Sequence, residues 1–210
     1  MSALYVTGTD TGVGKTVATA ALAVCLGFRV YKPVQAGLPA DIDFVTSVVD
    51  VDASEGIRLR DPMAPVAAAA REGVELPPLA VHQARIAELG DVLVEGAGGL
   101  LVRLSASETM ADFPGPFVVV CRAALGTLNH TALTLEALRA RDRPVAGLII
   151  GSWPHEPDLN ELSNREALLQ FGVPLLGAIP AGAGSLEPAA FRAAAPGWLR
   201  GLKWPTPTES

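Results

Sequence analysis

The stretch GTDTGVGKT at residues 8–16 constrains the fold of this chain more than any other feature. It matches the pattern G-x-x-x-x-G-K-[ST], follows an apolar run at 4–8 and precedes an Ala- and Leu-rich segment at 14–26. Such a loop lies between a strand and a helix, where backbone N–H groups and the helix N-terminus surround phosphates. We therefore predict a nucleotide-binding loop in which Lys15 reaches the β- and γ-phosphates and the Thr16 hydroxyl binds magnesium. The predicted nucleotide contacts are Gly8, Thr9, Thr11, Gly12, Val13, Gly14, Lys15 and Thr16.

Apolar runs alternate with segments of helical spacing along the rest of the chain. Near-continuous runs of Val, Ile and Leu are typical of strands in a parallel sheet that is covered on both faces. We therefore predict one doubly wound, P-loop NTPase-like α/β domain over residues 1–202, followed by a disordered tail at 203–210. The predicted strands are 4–8, 28–34, 91–96, 100–104, 116–121, 145–151 and 173–180. The predicted helices are 14–26, 81–90, 129–141 and 159–171.

The charge balance argues against several classes of function. Sixteen basic and twenty-two acidic side chains give a net charge of −6, which disfavours non-specific nucleic-acid binding. No apolar run approaches the roughly 18 residues of a membrane span, and the N-terminus lacks the basic and apolar regions of a secretory signal. Cys25 and Cys121 lie in apolar runs and are expected to be free thiols. We therefore expect a cytoplasmic protein that binds neither nucleic acid nor membrane.

Lysine is scarce in this chain, which has thirteen arginines and only Lys15, Lys32 and Lys203. Lys32 lies in VYKPVQAG, at the end of the second predicted strand. Because ligands of open α/β sheets bind at the carboxyl ends of strands, Lys32 is expected near the phosphate loop. A lysine offers a compact ammonium group where arginine offers a planar fork. Lys15 and Lys32 are therefore the candidate catalytic cations.

Acidic residues at two strand ends are candidates for holding magnesium beside Thr16. Glu95 ends the apolar run in DVLVEGAGG, and carboxylate oxygens suit magnesium. Asp41 and Asp43, in ADIDF, follow the Lys32 strand, and each is either a magnesium ligand or a helix N-cap.

Five motifs, in chain order, resemble those of the dethiobiotin synthetase family over residues 3–185: GTDTGVGKT, KPVQAG, PMAPVAAA, VEGAGGLLV and GTLNHTALTLEAL. The resemblance implies a homodimeric cyclo-ligase that uses ATP and Mg²⁺. The implied substrates are 7,8-diaminononanoate, carbon dioxide or bicarbonate, and a nucleoside triphosphate. In that reaction one amine becomes a carbamate and the γ-phosphoryl group is transferred to it. The second amine then closes the ureido ring of dethiobiotin and expels phosphate.

The same resemblance implies roles for individual residues. Lys15 and Lys32 would lie at the transferred phosphoryl group and the carbamate. The implied magnesium ligands are Thr16, Asp43 and Glu95. The implied substrate contacts are Thr11, Lys32, Ala36, Gly126, Thr127, Leu128 and Asn129, of which the last four form a loop that reaches the substrate carboxylate of the neighbouring subunit.

The sequence departs from the family pattern at four places. Gly12 stands where many members have Glu, and Ala36 stands where many have Ser or Thr. The segment before Lys32 is several residues shorter, and no adenine-facing Asn follows the run at 145–151. We therefore expect backbone groups to contact the base and base selection to be loose, with Trp153 either stacking on the base or packing. The candidate base contacts are Gly151, Ser152, Pro180, Ala181 and Gly182.

Three other functions fit a phosphate loop. An amidating relative would need a glutamine-hydrolysing domain with a nucleophilic cysteine, whereas both cysteines here lie in apolar elements. A switch ATPase of the partition type carries an extra lysine early in the loop, and residues 8–13 contain none. A nucleotide-binding protein without catalysis is the third alternative, because Gly12 and Ala36 replace polar residues.

Overall fold

Seven parallel strands form one sheet in the computed structural model, which describes residues 2–204. The spatial order of the strands is β3-β2-β4-β1-β5-β6-β7, so the strand that leads into the phosphate loop is central. The strands are β1 (Ala3–Gly8), β2 (Arg29–Ala36), β3 (Ala53–Leu59), β4 (Val92–Gly99), β5 (Phe117–Cys121), β6 (Val145–Trp153) and β7 (Leu175–Pro180). Every strand pair is parallel, which confirms the predicted doubly wound class.

Helices cover both faces of the sheet. They are α1 (Lys15–Leu26), α2 (Asp41–Val48), α3 (Pro65–Glu72), α4 (Leu79–Leu89), α5 (Thr127–Arg139), α6 (Leu159–Leu168) and α7 (Pro188–Trp198). Alternate residues of each central strand enter opposite apolar layers: Leu4 and Val6 pack with α1, α2 and α7, while Tyr5 packs with α4, α5 and α6. This alternation follows from the two-residue period of a strand. Within residues 2–204 no helix is long and apolar enough to cross a membrane.

The predicted elements differ from the structure in four places. The apolar run at 100–104 is not a strand but a turn region, because the chain leaves the sheet after β4 with Gly98 at φ +66°. Strand β3, with the sequence ASEGIRL, was not predicted, and neither were α2 and α7. As an edge strand β3 is half-exposed and lacks a continuous apolar run.

The predicted tail begins inside the described part of the chain. Trp204 packs edge-on against Phe28, with ring centroids 6.2 Å apart, so the chain stays on the core at least to this residue. The remaining residues of the predicted disordered tail, 205–210, lie outside the described residues.

Parallel strands place all their carboxyl ends at one edge of the sheet. The phosphate loop follows β1, the segment 37–40 follows β2, and Glu95 is the fourth of the eight residues of β4. Because β2 and β1 both pair with β4, these three features are neighbours at that edge.

Candidate active site

The phosphate loop has the backbone geometry that its sequence predicts. Gly12 and Gly14 have φ of +69° and +91°, a left-handed conformation that favours glycine. Gly14 is the N-cap of α1, and Lys15 is its first residue. Gly8 has no room for a side chain, since a Cβ there would lie 3.0 Å from the Lys15 Nζ. The glycines therefore let the backbone turn closely around an anion at the N-terminus of α1.

Gly151, near the end of strand β6, packs directly against the phosphate loop. A Cβ on Gly14 would lie 2.5 Å from the carbonyl oxygen of Gly151, and a Cβ on Gly151 would collide with the carbonyl of Val13. A Cβ on Gly151 would also lie 2.7 Å from the Val120 side chain. Gly151 therefore packs against the phosphate loop, and Ser152, the next residue, is exposed. Contact of these two residues with a nucleotide base stays a prediction.

Asp10 shapes the first half of the loop. Its carboxylate accepts hydrogen bonds from the Thr11 N–H at 2.7 Å and from the Arg122 guanidinium at 2.8 Å. Its carbonyl accepts one from the Lys15 ammonium at 3.0 Å. Arg122 follows β5 and also donates to the Thr11 carbonyl at 3.2 Å. The sequence analysis missed Arg122, which is one of thirteen arginines and carries no motif.

Lys32 and Glu95 form a buried ion pair beside the loop. Lys32 is 3% exposed and Glu95 1% exposed, and the ammonium Nζ lies 3.0 Å from the Glu95 Oε1. The Thr16 hydroxyl donates to the same carboxylate oxygen at 2.9 Å. The Asp41 carboxylate also pairs with the Lys32 ammonium. The structure thus brings together Thr16, Lys32, Glu95 and Asp41.

The two lysines differ in how their surroundings affect the ammonium group. Burial lowers the pKa of Lys15, and nearby Lys32 lowers it further, against the opposing effect of Glu95, Asp41 and Asp10. Burial would also lower the pKa of Lys32, but Glu95 and Asp41 outweigh it and raise that pKa. Lys32 is therefore held charged by its partners, whereas Lys15 forms no ion pair with a carboxylate within residues 2–204 and is open to an incoming anion.

Asp43 lies apart from this group. Its side chain is 62% exposed, and its carboxylate is 3.5 Å from the Arg58 guanidinium. Neither aspartate is the N-cap of α2, since that position belongs to Ala40. The hydroxyl of Thr16 and the carboxylate of Glu95 are hard oxygen donors at the end of a phosphate loop, and they fit magnesium. In residues 2–204 no three Asp, Glu, His or Cys side chains form a metal cluster by themselves. Magnesium commonly takes its remaining ligands from phosphate oxygens and water.

A cavity of about 700 Å³ opens beside Lys15 and Lys32. Thr11, Gly12 and Ala36, which were predicted to face the nucleotide or substrate, line it. The far wall consists of residues 37–39 and 62–65, which follow β2 and β3. The site therefore has a cationic end at the phosphate loop and a largely apolar mouth.

The segment Gly126, Thr127, Leu128 and Asn129 lies at the start of α5, outside this cavity. Gly126 is the N-cap of this helix, with φ +91°. Thr127 is buried, and Asn129 is exposed. Their contact with a substrate in a neighbouring subunit stays a prediction.

The other predicted base contacts follow strand β7. Pro180 ends that strand, the Ala181 N–H donates to the Trp153 carbonyl at 2.7 Å, and Gly182 is left-handed with φ +80°. The Arg165 guanidinium lies 5.3 Å from the centre of the Trp153 ring. Because Trp153 packs against the core and carries Arg165 on its ring, the geometry favours its packing role over stacking on a base.

We predict that Gly151→Ala weakens nucleotide binding. The added methyl group would collide with the Val13 carbonyl and displace the loop. Overpacking of this kind costs about 1–3 kcal/mol, so ATP affinity should fall by about fivefold or more. The measurement is titration with a fluorescent ATP analogue. Gly197→Ala is the control, because a Cβ at Gly197 meets nothing within 4 Å. Equal affinities in the two variants would contradict the packing argument.

Comparison with known proteins agrees with this site. Residues 2–188 match a family described as an AAA domain. The ATP-dependent dethiobiotin synthetase BioD of Mycobacterium sp. strain JLS is 46% identical, covering 96% of this chain and 100% of that protein. The same enzyme of Streptomyces avermitilis is 48% identical, covering 95% of this chain and 92% of that protein.

Solved structures show the same fold at low sequence identity. The septum site-determining protein MinD of Pyrococcus horikoshii, complexed with Mg-ADP, superposes with a TM-score of 0.61 at 19% identity, covering 89% of this chain and 86% of that chain. The similarity to the dethiobiotin synthetases, by contrast, is 46–48% identity over 95–96% of this chain. This chain therefore belongs to the ATP-dependent dethiobiotin synthetase family.

Proposed function

We propose that this chain is an ATP-dependent cyclo-ligase that closes the ureido ring of dethiobiotin from 7,8-diaminononanoate and carbon dioxide. One observation carries the proposal: two buried lysines meet at one cavity, each in a different electrostatic setting. The reaction must bring a carbamate and a γ-phosphate together, and these two anions repel one another. Fixed positive charge in a site of low dielectric constant offsets that repulsion.

The steps balance without a further reactant. One amine adds to carbon dioxide and loses a proton, which leaves a carbamate. A carbamate oxygen attacks the γ-phosphorus, and the bond between that phosphorus and the bridging oxygen of ADP breaks. The second amine attacks the carbamate carbon, the bond to the phosphate oxygen breaks, and phosphate leaves with the loss of one more proton.

The residues of the site divide these tasks. Lys15 lies at the start of α1 and can follow the γ-phosphoryl group as its charge develops. Lys32 is placed between Glu95 and the cavity, where its ammonium can hold the carbamate. Magnesium, when bound at Thr16 and Glu95, supplies positive charge against the phosphates. Catalysis then rests on position and charge rather than on a covalent enzyme intermediate.

A phosphate-release assay tests the function. We expect phosphate release only when diaminononanoate and bicarbonate are both present, and we expect Lys15→Ala to reduce it on the order of 10²-fold or more, because a charge aligned with the transition state is lost. Parallel reactions with ATP, GTP and CTP measure the expected loose base selection. Hydrolysis that ignores both substrates would favour a switch ATPase, which the lysine-free residues 8–13 argue against.

We expect Lys32→Arg to be severely impaired although it keeps the charge. The Lys32 ammonium contacts both Glu95 and Asp41, and a larger, planar guanidinium cannot act as a compact charge between two anions. The measurement is steady-state kinetics, with Lys203→Arg as the control because Lys203 is exposed. Activity within about threefold of the unmodified protein, a barrier difference of only ~0.65 kcal/mol, would make Lys32 a generic strand-end cation.

The third magnesium ligand is proposed to be an aspartate of α2, and the geometry favours Asp41 over Asp43. Asp41→Asn should raise the magnesium concentration needed for half-maximal phosphate release at least about tenfold, the effect of losing about 1.4 kcal/mol of binding. Asp43→Asn should change it less than about threefold, since an exposed ion pair contributes little. The reverse order of effects would assign the ligand to Asp43, as the family pattern implies.

A homodimer with substrate at the interface is also proposed. A second cavity of about 360 Å³ is lined by Thr11 and by Leu101 and Leu133, and both leucines are exposed. Leu125, beside the start of α5, is 85% exposed. A second copy covering these side chains would account for their exposure.

Light scattering should give twice the chain mass, and mixing inactive Lys15→Ala and Asn129→Asp chains should restore part of the activity. A monomer, or no recovery after confirmed subunit exchange, would contradict the proposal.

The location of the protein is proposed to be the cytoplasm. Cys25 and Cys121 are both free, which suits a reducing compartment. Fractionation of cells that express a tagged chain tests this, and recovery in the periplasmic fraction would contradict it.

A further inference from the structure

Gln35 is a buried polar side chain whose contacts the proposed reaction does not yet use. It is 3% exposed, near the end of β2, three residues after Lys32. Its amide oxygen accepts a hydrogen bond from the Asp41 N–H at 3.1 Å. Its amide nitrogen donates to the Gly37 carbonyl at 3.0 Å and, at 3.4 Å, to the Ala36 carbonyl. The partners fix the orientation of the amide, because an N–H can only donate and a carbonyl can only accept.

These bonds fix where α2 begins. The N-cap residue of α2, Ala40, offers no side-chain acceptor, so the first amides of the helix have no partner from the usual capping position. Gln35 supplies the acceptor for the first of them, at Asp41. The segment 37–40, which we term the strap, is thereby closed between the end of β2 and the start of α2.

The first residue of the strap also contacts the end of β3 and the segment that follows it. The Gly37 N–H donates to the Leu59 carbonyl at the end of β3 at 3.0 Å. Gly37 has φ +78°, and a Cβ there would lie 2.6 Å from the Pro62 Cβ. Strap and residues 62–65 together form the mouth of the main cavity. Gln35 therefore bonds to the first residue of the strap and to Asp41, directly after the strap. Leu59 and Pro62 contact the first strap residue from the β3 side.

The first residue of α2, Asp41, lies against Lys32. The Asp41 carboxylate pairs with the Lys32 ammonium, whose other carboxylate partner is Glu95. We propose that Gln35 is a positioning residue whose side-chain amide holds the strap and the first turn of α2, so that Asp41 is placed against Lys32 beside the magnesium ligands. The consequence for catalysis rests on the proposed function, while the positioning itself rests on the hydrogen bonds above.

The test compares Gln35→Met, Asp41→Asn and the double variant, with Gln83→Met as the matched control because Gln83 is exposed on α4. Hydrogen exchange should speed up at least about tenfold in residues 37–48 of Gln35→Met, with other segments unchanged. In the presence of magnesium, the affinity for ATP should fall at least about threefold in each of Gln35→Met and Asp41→Asn. This loss of affinity should be smaller when EDTA removes the magnesium. The double variant should bind ATP as weakly as the weaker single variant, within about 1.5-fold, since both changes remove the same placement.

Two results would overturn the inference: unchanged exchange in residues 37–48, or single losses that multiply in the double variant. Gln35→Glu keeps the oxygen that accepts from the Asp41 N–H and should show exchange between that of Gln35→Met and the unmodified protein. If neither Gln35 variant folds while Gln83→Met does, Gln35 has a structural role and the inference is wrong. Exchange and binding do not require ligase activity, so a protein that forms no dethiobiotin would overturn the proposed function alone.

Discussion

The site depends on one buried cation, the ammonium group of Lys32. Moving an ammonium group from water into a protein interior costs several kcal/mol unless partners compensate for it. Here the compensation comes from Glu95 on β4, from Asp41 on α2 and from the carbonyl of Gly96 at 3.4 Å. Because these groups belong to different elements, the charge on β2 can be satisfied only when the strand order and the start of α2 are both correct. The need to satisfy this charge therefore ties together the elements that form the cavity.

The second cation completes an asymmetric arrangement. Lys15 donates to a backbone carbonyl, that of Asp10, rather than to a carboxylate, and burial lowers its pKa. An arriving polyphosphate offers Lys15 a strong charge partner, and the part of the chain that the structure describes pairs it with no carboxylate. Lys32 already has such partners and gains less from ground-state binding. Interactions that strengthen as charge develops are the ones that accelerate a reaction, and the unpaired lysine is the better placed of the two to make them.

Much of this site could be predicted from local sequence, and the remainder depends on contacts between distant segments. The phosphate loop, Lys32 and Glu95 were predictable because each is a polar residue or a glycine-rich turn next to an apolar run in the sequence. The predicted strand-end position was wrong for both side chains, since Lys32 and Glu95 are each the fourth of eight residues in β2 and β4. The support that Gly151 gives to residues 13 and 14 joins segments more than 130 positions apart, and no local pattern signals it. Strand β3 was not predicted and the turn at 100–104 was predicted as a strand, because an apolar run indicates burial but not which segments it hydrogen-bonds to.

The two aspartates show most clearly why a pattern alone was insufficient. Residues two positions apart on a helix point about 200° apart around its axis, so Asp41 and Asp43 cannot both face Lys32. Which of them does so depends on the residue at which α2 begins, and the sequence ADIDF is compatible with either. In the structure the helix begins at Asp41, whose amide is held by Gln35, and Asp43 turns outward to Arg58. Gln35, six residues before Asp41, thus positions the Asp41 carboxylate rather than that of Asp43 beside Lys32. This contact depends on the path of the strap between Gln35 and Asp41, which the sequence alone does not reveal.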